Sequence, residues 1–346
     1  MIAVCQFVRS GSLYTASRFA LPAIAIACSM AAARAADPAL VAQKPFPVAI
    51  VDTLNTLSGG PHAGYRANHA KGILVTGEFT PAPTAPGLSK APHFAKAVPV
   101  LIRLSDPTGV PTLPDADPNA SPHGMAIRFQ LPGGDNTDIV SISADTFPVA
   151  TPEEFLGLLQ AVAASGPGAA KPSPIEQFLG SHPVAAKWLA TPRPAPVSFG
   201  TLAYFGINAF KFTNSQGVSR YARYQILPVA GQKSLSGAEA SAAAPNYLMD
   251  ELPQRIGKGA VKFRLVAQIA KANDPVNDGS IAWPADRELI ELGTLSMTAM
   301  SPEQFSTQKM LLFNPLLLQD GIEPSADPVL LARPGAYAIS YGQRVK

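Results

Sequence analysis

The chain has 346 residues, with 27 Lys and Arg against 24 Asp and Glu, two cysteines and a formal charge of +3. Arg9, Arg18 and Arg34 fall in the first 35 residues, which hold no acid; the remainder balances at 24 against 24 and is no candidate for sequence-independent nucleic-acid binding. Cys5 and Cys28 lie in that same stretch, so a chain without it has no thiol for disulfides, nucleophilic catalysis, iron–sulfur clusters or thiolate-ligated cofactors.

Taken in order, the chain opens on an apolar run, FALPAIAIACSM, that ends in the small residues AAARA. This reads as a secretory signal over residues 1–35 with Ala33-Arg34-Ala35 as its cleavage box, and it predicts a periplasmic or secreted protein of residues 36–346. The run is too short for a spanning helix, so no stable membrane insertion is expected once it is removed. Cys28 after Ala25-Ile26-Ala27 matches a lipoprotein box poorly.

Runs with alternating or β-branched residues predict strands at 72–79, 97–104, 125–131 and 138–143, then at 201–212, 219–227, 260–270 and 288–297. Eight strands joined by hairpin-like turns predict an antiparallel barrel within an α+β fold. Between the fourth and fifth, Thr151-Pro152-Glu153-Glu154 and Ser173-Pro174-Ile175-Glu176 signal two inserted helices. The last fifty residues, from SPEQF onward, read as helix, although Pro334 and Gly335 should kink or start a helix near Arg333. No composition shift marks a second domain. The five histidines, His62, His69, His93, His123 and His182, lack zinc spacing, and no nucleophile elbow, phosphate loop or dinucleotide fingerprint is present.

The C-terminal stretch RPGAYAISYGQR sets Arg333, Tyr337 and Arg344 on one helix face by their spacing of four and seven. It is either a solvated terminal helix with a chance tyrosine or the wall of an anionic cofactor site. Four blocks bear on the choice. GYRANHAKG (64–72) resembles the Arg-x-x-His-Ala-Lys-Gly distal motif of haem catalases, and LIRLS (101–105) resembles the strand that carries a propionate arginine and, two residues on, a serine. SPHGMAIRF (121–129) resembles the catalase Asp-Pro-Arg-Gly-Phe-Ala-Val-Lys-Phe segment. FNPLLLQDGIEPSADPVLLARPGAY (313–337) resembles the approach to that family's proximal tyrosine.

The resemblance, over about residues 45 to 346, implies a catalase-like fold of the compact catalase-related peroxidase branch, with haem b as cofactor. It implies Tyr337 as iron ligand, with Arg333 favouring its anion; Tyr341 lacks an arginine four residues before it. It implies His69 as the general base, Arg66, Arg103 and Arg344 as propionate partners, Ser105 beside the distal histidine and Phe147 stacked on the haem. Period two sets Arg103 and Ser105 on one strand face. Two departures stand out. Where catalases have Gly-Asn-Asn-Thr, whose first asparagine donates to peroxide, this chain reads Gly134-Asp135-Asn136-Thr137, so Asp135 or Asn136 should reach the pocket, and an ionised Asp135 could not donate. Asn68 stands where catalases usually have an apolar residue.

The expected reaction is reduction of hydrogen peroxide or a small organic hydroperoxide by an organic electron donor, with weak catalase activity. The alternatives are rearrangement of fatty-acid hydroperoxides, as in allene oxide synthases, and a non-enzymatic periplasmic haem-binding barrel. The resemblance also suggests self-association, and the missing wrapping segments of longer catalases point to a homodimer.

Overall fold

A computed structural model describes residues 44–346, so the signal-like stretch and both cysteines lie outside the described residues. Ten strands form one antiparallel sheet: β1 (Gly72–Pro81), β2 (Val98–Ser105), β3 (Gly124–Gln130), β4 (Asn136–Ile142), β5 (Tyr204–Phe205), β6 (Phe210–Thr213), β7 (Ser219–Pro228), β8 (Val261–Ile269), β9 (Leu289–Met300) and β10 (Ile322–Pro324). Eight of them close into a barrel: β1 to β4 run as a meander, β4 passes to β5, β5 to β7, then to β8 and β9, and β9 pairs back on β1. β6 continues past β5 along the same edge of β7 and carries β10 outside. Closure leaves no free edge among these eight.

The period-two alternation decides which side chains fill the barrel. On β2, Val100, Ile102 and Leu104 point into a core where Phe79, Phe129, Phe199, Tyr204, Phe212 and Phe263 are fully buried. Phe79 and Phe129 meet edge to face with centroids 5.2 Å apart. The other face of β2 carries Leu101, Arg103 and Ser105 outward. At the β1 bulge, a Cβ on Gly77 would collide with the Ser296 carbonyl, so glycine is what lets β9 come this close.

Nine helices occur among the described residues: α1 (Phe46–Ser58), α2 (Ala85–Leu88), α3 (Pro152–Ala163), α4 (Pro174–Ser181), α5 (Pro183–Ala190), α6 (Gly237–Ala242), α7 (Tyr247–Lys258), α8 (Gln304–Met310) and α9 (Pro328–Arg344). Both expected capping boxes are present. Thr151 Oγ1 accepts from Glu154 N at 3.2 Å while the Glu154 carboxylate accepts from Thr151 N at 3.2 Å, and Ser173 pairs with Glu176 in the same way. α1, α3 and α9 pack on one another through Ile50, Val51 and Leu159, with Leu54, Phe155, Ala336 and Ile339 around them. A Cβ on Gly335 would stand 2.9 Å from Pro47 Cγ, so that glycine permits the close approach of α9 to α1.

Two expectations are corrected. The run at 201–212 is not one strand: it enters as a short 3-10 turn, pairs as β5, breaks at Gly206–Ala209 and resumes as β6. Asn208 sits in that break because its amide bonds to α9 rather than to the ladder. The last fifty residues are not continuous helix either. Asn314 and Pro315 interrupt the apolar run, and residues 311–318 cross β3 and β4 as irregular chain with a turn in which Leu317 N donates to Asn314 O at 2.9 Å. There Arg128 Nη2 donates to Leu312 O at 2.6 Å, Asn314 N to Asp138 Oδ2 at 2.9 Å and Thr137 Oγ1 to Leu317 O at 2.8 Å. α9 then begins six residues before Pro334 and runs through it.

Candidate active site

A single cavity between the outer face of the barrel and the α1, α3 and α9 layer is lined by Arg66, His69, Arg103, Ser105, Phe147, Arg333, Tyr337 and Arg344. Eight of the residues singled out from the sequence are thus brought together. Asp135 and Asn136 are not. Asp135 belongs to the β3–β4 turn and Asn136 opens β4 beside it; there Gly133 and Gly134 take φ of 88° and 91°, Leu131 N donates to Asp135 O at 2.8 Å, and Asp135 is exposed. The β4 residues that do line the cavity are Val140, Ser141 and Ile142. Six residue steps along β4 take Asn136 to Ile142, roughly 20 Å at strand rise, so neither Asp135 nor Asn136 can serve the other end.

One wall is α9. Asp327 caps it, accepting from Val329 N at 2.8 Å and Leu330 N at 3.2 Å. One turn separates Arg333 from Tyr337, and Arg333 donates to Tyr337 Oη from Nε at 3.1 Å and from Nη2 at 2.8 Å. Its third arm, Nη1, donates to Asn208 Oδ1 at 2.8 Å, and Asn208 Nδ2 donates to Asp327 Oδ2 at 2.7 Å. A polar chain therefore runs from the helix cap to the phenol, and all three guanidinium arms are oriented by it.

The facing wall is the loop before β1. His69 takes a left-handed φ of 56°, and Thr108, at 78°, holds it there: Ala70 N donates to Thr108 O at 2.9 Å and Thr108 N to Asn68 Oδ1 at 2.8 Å. His69 Nδ1 lies 3.1 Å from Ser105 Oγ. Its ring covers the Gly124 backbone so closely that a Cβ there would be 2.9 Å from Nδ1. Burial, and next the Arg103 guanidinium, lowers His69 to about 3, which keeps the imidazole neutral. Ala67 N donates to Ser340 Oγ at 3.1 Å and ties this loop to α9.

Three guanidiniums converge at one end. Arg66 and Arg344 both donate to Leu311 O, at 2.7 and 2.6 Å, and Arg103 Nε donates to Gln308 Oε1 at 2.7 Å. None has a carboxylate partner among the salt bridges of the described residues. Burial, then Arg344, lowers Arg103 to about 9; burial lowers Arg344 to about 10; burial, then Arg103 and Arg344, pulls Arg66 well below its ordinary value. Buried cations without counter-ions are costly, so this end fits a polyanionic group such as a pair of carboxylates. Phe147 packs on Phe155 of α3 with centroids 4.8 Å apart. Phe46, Ile50 and Leu54 of α1 complete the apolar lining. The donor set of one phenol, three guanidiniums and an apolar slot fits a flat, metal-bearing macrocycle with acidic side arms. It does not fit a bare ion, and no group of three or more His, Cys, Asp or Glu that could hold one occurs among the described residues.

Sequence reasoning missed Asn208, Gly124 and α1. The last was readable, because Phe46, Ile50, Leu54 and Leu57 recur at helical spacing. Asn208 had only the weak signal of a glycine and an amide inside an apolar run.

The family described as Catalase matches residues 62–345. A catalase-related peroxidase of Synechococcus elongatus is 36% identical over 293 residues, covering 83% of this chain and 85% of that protein. Another, from Mycolicibacterium paratuberculosis, is 37% identical over 287 residues, 82% and 90% of the two chains. The catalase of Streptomyces coelicolor is 27% identical over 81% of this chain but only 61% of its own length. Among solved structures, a fungal catalase superposes with a TM-score of 0.73 at 24% identity, over 82% of this chain and 60% of that one. Catalase A from Saccharomyces cerevisiae does so at 0.73 and 22%, over 82% and 62%; both likenesses bear on the fold alone. Matched along most of its length, and most similar in extent to the shorter relatives, the chain belongs to the catalase family, in its compact catalase-related peroxidase branch.

Proposed function

We propose that this chain is a haem b-dependent peroxidase that reduces hydrogen peroxide or a small organic hydroperoxide with electrons from an organic donor, exported by its first 35 residues. Catalases are generally haem-dependent, and the cavity fits the group. The observation that carries the reading is the opposition, in one cavity, of a neutral His69 and a Tyr337 held by Arg333, with three guanidiniums lacking carboxylates at one end.

When bound, haem supplies the redox-active iron at which peroxide is reduced. Tyr337 would ligate it: two donors aimed at one phenol oxygen suit an anionic ligand atom. Arg66, Arg103 and Arg344 would hold the propionates, and Phe147 would lie against the ring. Donation from His69 Nδ1–H to Ser105 Oγ is the tautomer that leaves Nε2 a lone pair. His69 then takes the proton from one peroxide oxygen and returns it to the other. A carrier needs the ligand but no base, so the buried, oriented imidazole favours the enzyme over the carrier.

The test is donor oxidation and oxygen release, measured together on haem-loaded protein given hydrogen peroxide and a phenolic donor. Donor oxidation should dominate and stay level from pH 4.5 to 8, because His69, at about 3, changes charge only below that window. His69→Ala should retain haem and slow the reaction by about 10²- to 10⁴-fold. An unchanged rate in that variant, or haem-loaded protein that oxidises no donor, overturns the reading.

A further inference from the structure

Donor hydrogens are scarce beside His69. The Ser105 hydroxyl faces His69 itself, the Ser141 hydroxyl donates to Met125 O at 2.8 Å, and Arg103 directs Nε and Nη2 at Gln308 and Ala70. Adjacent to the base in the chain is Asn68, which lines the same cavity. Its Oδ1 accepts from Thr108 N at 2.8 Å, a bond that only the oxygen of the amide can make, so the two ends of the carboxamide are assigned by chemistry. Neither hydrogen of Nδ2 has a protein partner among the described residues. The loop that anchors this oxygen also holds His69 in its left-handed conformation, through Ala70 N and Thr108 O at 2.9 Å. Base and amide are therefore positioned by one device.

We propose that Asn68 is a catalytic residue whose Nδ2–H donates a hydrogen bond to the peroxide held at His69. The inference rests on the peroxidase reading above. A neutral imidazole nitrogen with a lone pair can only accept, so the proton moves from a peroxide oxygen to His69 Nε2, and the charge left on the oxygen needs a donor. Nothing on β4 provides one, since Val140 and Ile142 are apolar and Ser141 is already bonded. Asn68 supplies an oriented amide from the chain position adjacent to the base.

Cyanide tests this apart from turnover, because hydrogen cyanide likewise delivers a proton to the base and leaves an anion that takes a hydrogen bond. Affinity is read from the Soret shift of the haem-loaded protein. Asn68→Val removes both ends of the amide, whereas Asn68→Asp keeps the acceptor for Thr108 N–H and removes the donor. Both should retain haem and bind cyanide at least about tenfold more weakly, the size of one hydrogen bond, with a parallel fall in the rate with hydrogen peroxide. Asn136→Ala, at the distant end of β4, should match the parent. Parental affinity in Asn68→Asp would reduce Asn68 to a loop anchor and overturn the proposal, as would parental affinity in Asn68→Val. A parent protein that takes up no haem would instead overturn the peroxidase reading, and this inference with it.

Discussion

His69 and Thr108 are the two non-glycine residues with positive φ among the described residues, at 56° and 78°. A β-branched residue at such an angle is strained, and the strain is held by the Thr108 backbone, whose carbonyl accepts from Ala70 N and whose N–H donates to Asn68 Oδ1. The result is an imidazole aimed into a cavity rather than along a strand. A second histidine is buried without serving the cavity. His93 packs among Phe79, Phe94 and Phe129, its Nδ1 has no partner, and burial lowers it to about 3. The unfolded chain binds a proton there below 6.5 while the folded chain does not until about 3, so stability is complete above 6.5 and falls through that window. By pH 5 this one group should cost on the order of 2 kcal/mol. Urea unfolding at pH 7 and pH 5 checks it: His93→Leu should lose about that much less than the parent between the two values, and an equal loss in both would show that His93 does not titrate as stated.

At the scale of elements, α9 carries the phenol and its own cap organises it. Asp327 is fully buried and serves two backbone donors and Asn208 at once. Asp327→Ala should destabilise the protein by about 2–4 kcal/mol, a lost cap plus an unpaired buried amide, and weaken haem uptake by freeing Arg333. A Tm unchanged from the parent would contradict this. Strands with strict alternation, such as β2, were legible, and so were the two capping boxes, because local chemistry alone decides them. The break between β5 and β6 was not, since it depends on a bond from Asn208 to a residue 125 positions away. The error over Asp135 has a physical lesson: Leu131-Pro132-Gly133-Gly134 is a turn signal in its own right, and it outweighs a four-letter likeness. The irregular 311–318 segment carries apolar residues that suit a helix, while the bonds its carbonyls receive from Arg128 and Thr137 leave no trace in the sequence.

At the scale of the molecule, the barrel supplies a rigid outer face and the helices a second wall, so that distant segments meet in one cavity. Residues 66–69, 103–105, 333–337 and 344 converge there because β1, β2 and α9 are each fixed by the core behind them. The three guanidiniums at its end are held by carbonyls and an amide, which orient them and leave their charge for a ligand. Haem binding through Tyr337 is the proposal on which every other role in the cavity depends. The most direct measurement is the absorption spectrum and haem content of the haem-loaded protein beside Tyr337→Phe, with circular dichroism as the control for folding. The parent should carry one haem per chain with the spectrum of an anionic oxygen ligand. Tyr337→Phe should stay folded and lose that spectrum. Retention of the parental spectrum and haem content in Tyr337→Phe would contradict the account.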